Sequence, residues 1–568
     1  MYVKTTTMRR GDKTYSYLSL VEAVREGTKV KHRVLLRLGE VTDLRESGQL
    51  DRIIAALRQH AEGTWLSGSE LSSDGAPSFG AMAAIHTYFT RLGLDRHFAA
   101  VGRRRKSVRL ATTLYALVAN RLCDPASKRR TVLEWLDDVA LPAGVEGPSL
   151  DRCYRALDAL SASKQVTEEA LFSAVTDLTN LDLRLCCYDL TSTYFETDGR
   201  ASSAFVSRAF GYSRDHRGDR PQVMIGLLVT ADGIPIAHHV FPGNTNDAST
   251  LKGVLSDLKE RFSVRRIALV ADRGVMSAAN VSALGASGFD HVMATRLHMD
   301  PDVAAVLGKA RGPDQVWVPV PEARSGATEV EHDGQRYVVV FSPERFSRDN
   351  RRREEILTET EDTLSALEER VRSGRLRDPA KIGAAAQRIL SSSPMARVFV
   401  THMREGAFSW DYDQEKLRYE TEDLAGRYVL TTSLSKDQAS TARIVLHYRS
   451  LQRVEDRFKV MKDFLGMRPV FHFTEERVRG HIALCVIAAV IESLMAIDLE
   501  RAGVMDPDLP HQVMTPRRAL HELGRVRVHE LTVGDRRVEV VTRRNGLQGA
   551  ILSAMHVDTA GWDRAAIA

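Results

Sequence analysis

Three carboxylates stand out, one on a helix and two at the ends of apolar strands. Glu455 lies in Arg443 to Lys462, RIVLHYRSLQRVEDRFKVMK, which has no Gly or Pro. Its apolar residues recur at helical spacing and predict a single helix. Ile444, Leu451, Val454 and Phe458 then form the buried stripe. Glu455 and Lys462 fall on that stripe and Tyr448 at its edge, while Arg449, Arg453 and Asp456 point elsewhere. Tyr448, Glu455 and Lys462 recur at nearly two turns, so they line up on one face. A carboxylate in apolar surroundings is costly unless a cation or a metal pairs with it. Lys462 or a partner helix can be that cation, which would leave Glu455 a structural ion-pair residue. The aspartates open a second reading. LDLRLCCYDLTST reads as an apolar strand ending in Asp189, and RRIALVADRG as one ending in Asp272. Strand ends are where sites in α/β folds gather. Two such aspartates and a helix glutamate offer oxygen ligands to a pair of hard divalent cations. Ions about 3.5–4 Å apart clamp the attacking and leaving oxygens of a phosphodiester.

Around these residues the chain resembles the DDE transposases of bacterial insertion sequences, in the insertion-sequence-four superfamily. That group's signature is Y-x2-R-x3-E-x6-K. Tyr448, Glu455 and Lys462 match it, and Leu451 stands where the pattern has Arg. YDLTSTYFE (Tyr188 to Glu196) and VADRG (Val270 to Gly274) match around the aspartates. FPGNTNDASTL (Phe241 to Leu251) is also characteristic. Together the blocks are specific, where any one alone is weak.

The resemblance implies an α/β fold with an RNase H-like catalytic core, interrupted by a mixed α/β insertion. An N-terminal β meander and a helical DNA-binding region would precede that core. It implies metal-dependent cleavage at the element's ends and strand transfer into target DNA. Asp189, Asp272 and Glu455 would be catalytic and hold two Mg²⁺ ions, for which Mn²⁺ can substitute. Tyr448 and Lys462 would hold phosphates, and Arg273, Arg449, Arg103, Arg104 and Arg105 are further candidates for DNA contact. The partners implied are double-stranded DNA (terminal inverted repeats and target) and a second protomer, as a homodimer in the DNA complex. There are two rivals. An RNase H-like nuclease such as a resolvase would cut without strand transfer, but the long insertion and N-terminal helical region argue against it. A domesticated, non-catalytic DNA-binding protein has no need of the acidic triad.

The elements that must position these residues can be followed along the chain. Residues 1–66 read as a β-rich basic domain in which 3–39, VKTTTMRRGDKTYSYLSLVEAVREGTKVKHRVLLRLG, alternate as a meander, followed by a helix over 49–60. Its cations suit either a DNA backbone or a solvated face. A Ser/Gly-rich linker, 67–79, leads to a helical region, 80–175, in which Ser149 is a candidate N-cap. Its basic clusters Arg103 to Lys106 and Lys128 to Arg130 sit at helix junctions, a placement that suits phosphate contacts. The first half of the core, 176–300, holds the Asp189 strand, a polar loop (Glu196 to Arg220), a hairpin around Ala231-Asp232-Gly233, a helix and the Asp272 strand. An insertion, 301–432, carries strands around Asp333-Gly334, a charged helical stretch, and strands such as RVFVTH and RYVLTTS that return to the core. Trp317 and Trp410 in it can stack an unpaired base or serve as ordinary sheet aromatics. The second half of the core, 433–505, includes an apolar helix from Glu475 to Glu500, and 506–568 forms a tail.

Composition is compatible with these readings. The chain has 568 residues, 43% of them hydrophobic, and a formal charge of +5, which permits nucleic acid without demanding it. Five cysteines show no zinc spacing and fit a reducing cytoplasm. The chain opens without a signal peptide, and Ile482 to Met495, the longest apolar run, is short for a membrane span and contains Glu492. A cytoplasmic protein with no membrane contact is expected.

Overall fold

Strands rich in Val, Ile and Leu without polar alternation bury both faces, and the centre of this molecule is such a sheet. The computed structural model describes all residues except 27–28, 61–70, 105–107, 180–183, 197–206, 263–266, 273, 276, 296, 298–299, 301, 394, 405, 534–535, 561, 563–565 and 568. Two compact units divide the chain. One is Met1–Ala76 with His529–Val540 and Arg564–Ala568; the other is Pro77–Val528 with Val541–Asp563.

In the first unit β1 (Tyr2–Arg10), β2 (Lys13–Glu26) and β3 (Lys29–Glu40) form the antiparallel meander, turning at Gly11 with φ +62°. Helices α1 (Val41–Glu46) and α2 (Gln49–Arg58) follow. The Ser/Gly-rich stretch read as a linker contains a strand, β4 (Leu71–Gly75), which pairs with the C-terminal strand Val528–Val533.

The second unit begins with α3 (Gly80–Arg91), α4 (Leu94–Val101), α5 (Leu110–Cys123), α6 (Lys128–Leu133), α7 (Leu150–Ala162) and α8 (Lys164–Thr179). Ser149 caps α7 by accepting from the Arg152 N–H. Then come β5 (Leu185–Tyr194), the hairpin β6 (Gln222–Thr230) and β7 (Pro235–Pro242), α9 (Leu251–Ser256), β8 (Ala268–Ala271), α10 (Ala278–Ala286) and β9 (Asp290–Ala294). Beyond them lie α11 (Asp302–Lys309), β10 (Val318–Val320), β11 (Ser325–His332), β12 (Gln335–Phe341), α12 (Pro343–Arg372) and α13 (Pro379–Leu390). The chain continues through β13 (Phe399–Arg404), β14 (Ala407–Tyr412), α14 (Gln414–Arg418) and β15 (Arg427–Thr432).

Nine strands make one mixed sheet in the order β10-β11-β12-β15-β9-β8-β5-β6-β7. β5, β8 and β9 run parallel, and every other pairing is antiparallel. β15 thus rejoins the sheet as expected. β13 does not: it pairs with β14 in a separate ribbon packed on α12 and α13. Trp410 belongs to that ribbon's core, edge-on to Phe399 and Tyr412, which favours the sheet-aromatic reading for it.

The two faces of the sheet carry different cores. Tyr188, Leu190, Leu269 and Ala271 pack beneath α9 and α10. Cys187, Val270 and Ile225 face a larger cluster built with the N-terminal helices and α17 (Glu475–Arg501). Contrary to the sequence reading, α17 is long and apolar enough to cross a membrane, but 83% of its most apolar window is buried inside the protein. It is the central core helix. At Gly480 it presses on α7 so closely that a Cβ there would overlap the Leu157 carbonyl oxygen. Ala gains about 1 kcal/mol of helix propensity over Gly, but the clash is with backbone, and overpacking of this kind costs about 1–3 kcal/mol. Gly480→Ala should therefore lower the urea midpoint. An equal or higher midpoint contradicts the close approach.

Candidate active site

The parallel pairing of β5 with β8 sets Tyr188 opposite Ala271. The next residues, Asp189 and Asp272, consequently emerge side by side on the face that carries α17. β8 stops there, as its sequence predicts. β5 does not end at Asp189 but runs on to Tyr194, because Thr191, Ser192 and Thr193 stay buried and paired with β6. Asp189 is therefore a mid-strand residue beside the point where its neighbour strand gives out.

Glu455 reaches the same place from a helix that is not continuous. The stretch predicted as one helix is broken into α15 (Thr441–Arg449) and α16 (Gln452–Lys459), followed by a wide π turn over Val460–Phe464. At the break, the Leu451, Arg453 and Val454 N–H groups bond to carbonyls three residues back. The Ser450 hydroxyl also donates to the His447 carbonyl at 2.6 Å. Such tightening rotates the segments relative to each other, so the expected line of three residues does not hold. Glu455 and Lys462 line one cavity; Tyr448 instead packs on Tyr428, ring centroids 5.8 Å apart. α16 is fixed from behind by Arg457, whose guanidinium pairs with the buried Glu492 of α17 and donates to Ser493 at 3.0 Å.

The cavity has a volume of about 390 Å³. Asp189, Asp272, Glu455, Asp215, Asp247 and Asp463 supply six carboxylates, while Arg214, Lys459, Lys462 and Arg468 supply four cations. Three of these cations sit with the other acids rather than with the three expected ones. Arg214 pairs with Asp247 at 2.7 Å, and Arg468 with Asp463 at 2.6 Å. Lys462 and Arg468 share Asp215, at 2.7 and 2.5 Å. Lys462 thus satisfies Asp215, not Glu455, and the ion-pair reading of Glu455 fails on that partner. Among the described residues Asp189, Asp272 and Glu455 form no salt bridge.

Their protonation reflects this. Burial pushes the Asp189 carboxyl up to about 7; the Leu190 N–H and Arg214 oppose the shift, and the Asp272 and Glu455 charges add to it. Burial also raises Glu455, with Gln452 opposing and Asp272 and Asp456 adding. Outside this cavity, Asp302, His332 and Asp333 gather ligand atoms within 4.8 Å of one another.

The remaining sequence candidates lie elsewhere. Arg449 and Arg103 are exposed and do not line the cavity. Arg273, Arg105 and the side chain of Arg104 fall outside the described residues. In the second basic cluster Lys128 is buried, and Arg130 pairs with Asp124 at 2.6 Å, so neither is a free phosphate contact. Arg214, Asp215 and Arg468 were not singled out by the sequence. Asp247 lies in the block FPGNTNDASTL, and a Cβ on Gly274 would come within 3.0 Å of its Oδ2, which makes that glycine part of the wall.

Residues 183–491, more than half the chain, match the Transposase DDE domain. The chain belongs to the DDE transposases. Residues 3–69 of this transposase match the IS1634 family transposase, N-terminal domain. A search for curated relatives found no match. The protein is accordingly a DNA-cleaving, strand-transferring enzyme of an insertion sequence, and the nuclease and domesticated readings fall.

The raised Asp189 pKa carries a stability consequence with a definite sign. The folded protein holds this proton more tightly than the unfolded chain, whose value is near 3.8. The group's contribution is full below about pH 4 and is lost as pH rises through about 7. In metal-free transposase, Asp189→Asn should leave Tm nearly unchanged at pH 4 and raise stability at pH 8 by about 1–3 kcal/mol. A lower Tm at pH 8 in thermal melts contradicts this.

Proposed function

We propose that Asp189, Asp272 and Glu455 together hold two Mg²⁺ ions, with Mn²⁺ able to replace them, and that this carries cleavage at the element's ends. The observation behind this reading is that three carboxylates converge in one cavity without a cationic partner. A structural ion network would have used Lys462 and Arg468 to neutralise them. The donor set is all oxygen, as hard divalent ions require. Such ions, when bound, activate water and stabilise charge on the scissile phosphate. The transposase's own residues do the rest. Asp189 and Asp272 present their charges from rigid neighbouring strands, and Glu455 closes the site from α16. Asp189 must lose its proton for this, so metal affinity falls as pH drops below about 7. Six carboxylates against four cations leave the wall acidic, so a DNA phosphate is repelled until the carboxylates are neutralised. Lys462 then offers a point charge to a nearby phosphate.

We read the order strand, hairpin, helix, strand over 176–300, resumed over 433–505, as an RNase H-like core with 301–432 inserted. In this reading residues 1–66 and 80–175, with Arg103 to Arg105, bind the terminal inverted repeats, Arg273 and Arg449 add backbone contacts, and two protomers act together on the DNA. The site of action is the cytoplasm.

Glu455→Gln keeps size and helix propensity while removing the charge. It should reduce Mg²⁺-dependent end cleavage by about 100-fold or more and leave gel-shift affinity for the element end within about threefold, because end binding rests on phosphate contacts elsewhere. Near wild-type cleavage would make Glu455 a structural residue.

A further inference from the structure

The cavity contains a division that the metal reading alone does not explain. Three carboxylates go without a cation while two cations crowd onto a fourth, Asp215. Asp215 is deeply placed, with its side chain 3% exposed. Its Oδ1 accepts from both Lys462 Nζ and Arg468 Nη1, while its Oδ2 is buried with no hydrogen-bond partner. A purely structural ion pair would spread two cations over both oxygens. Here both are drawn to the same atom, on one side of the carboxylate.

The loop is built to hold that arrangement. The Arg214 N–H is anchored on Ser192 Oγ of β5 at 3.0 Å. Ser213 Oγ accepts from the Asp215 and Arg217 N–H groups at 3.3 and 3.1 Å. His216, at φ +56°, takes the left-handed conformation that closes the turn. Such a backbone persists where its surroundings over-determine it.

We propose that Asp215 is a positioning residue that keeps Lys462 and Arg468 off the metal-binding carboxylates and holds them as a two-cation clamp for a DNA phosphate. This rests on the two-metal reading of the same cavity. Lys462 has a flexible four-carbon stem and lines the cavity together with Asp189, Asp272 and Glu455. Without a counter-charge of its own it would swing onto those acids and compete with the metal. With Asp215 in place, two of its three N–H groups have no partner among the described residues and remain available to an anion. Arg468 is held in addition by Asp463 at 2.6 Å, so the clamp has a fixed side and a mobile one. The cavity is thereby split into a metal half and a phosphate half.

The test is a Mn²⁺ titration of the full-length protein, read by calorimetry, alongside end cleavage under single-turnover conditions. Asp215→Asn removes the charge at constant size and should raise the Mn²⁺ concentration for half-saturation about fivefold or more. Adding Lys462→Met to that variant should restore the wild-type Mn²⁺ midpoint while cleavage stays low. A merely structural defect would not be repaired by a second lesion. Asp215→Ser repeats the measurement if the Asn variant does not fold. An unchanged midpoint in a folded Asp215 variant, or a raised midpoint that Lys462→Met does not reverse, overturns the proposal. Failure of the wild-type protein to bind Mn²⁺ in a manner sensitive to Glu455→Gln would instead overturn the two-metal reading itself.

Discussion

Everything at this site depends on the register of one parallel strand pair. With Tyr188 opposite Ala271, Asp189 and Asp272 stand on the same face of the sheet, one strand spacing apart. A slip by one residue would send one of them beneath α9 and α10, into the other core. The register is held by burial on both sides: Cys187 and Val270 belong to one core, Tyr188 and Ala271 to the other. α16 is laid on the first of those faces, where Val454 and Phe458 are buried and Cys187 Sγ lies 3.1 Å from Ser450 Oγ. Glu455 is then carried to the aspartates as a consequence of packing.

Placing three like charges together disfavours the folded state, and the protein does not relieve this with its own cations. Burial and mutual repulsion keep a proton on Asp189 up to about pH 7. A divalent cation held there, as proposed, would remove that penalty. Arg214, Lys462 and Arg468 are each committed to another acid.

The three cavity carboxylates were legible as candidates because local signals marked them: two apolar strands interrupted by aspartate, and a glutamate on an apolar helical stripe. The meander, the β6–β7 hairpin and the Ser149 cap were legible for the same reason. What could not be read depended on partners distant in sequence. Ser450 is tolerated in a helix, and the break there follows from how α15 and α16 dock separately on the sheet. Thr191 to Thr193 look like the start of a polar loop, yet β6 keeps them in the ladder. Asp215 lies in a loop rich in Arg, Ser and Gly, and only its contacts with Lys462 and Arg468 set it apart. β13 has the composition of a core strand, and its pairing with β14 rather than β15 is a tertiary choice.

The account turns on where divalent metal goes. Crystals of the full-length protein soaked in Mn²⁺ at pH 8, with data collected at the manganese absorption edge, would locate it directly. Two anomalous peaks about 3.5–4 Å apart, bounded by Asp189, Asp272 and Glu455, are predicted. Manganese bound only at Asp302, His332 and Asp333, with nothing between the three cavity carboxylates, would contradict the account.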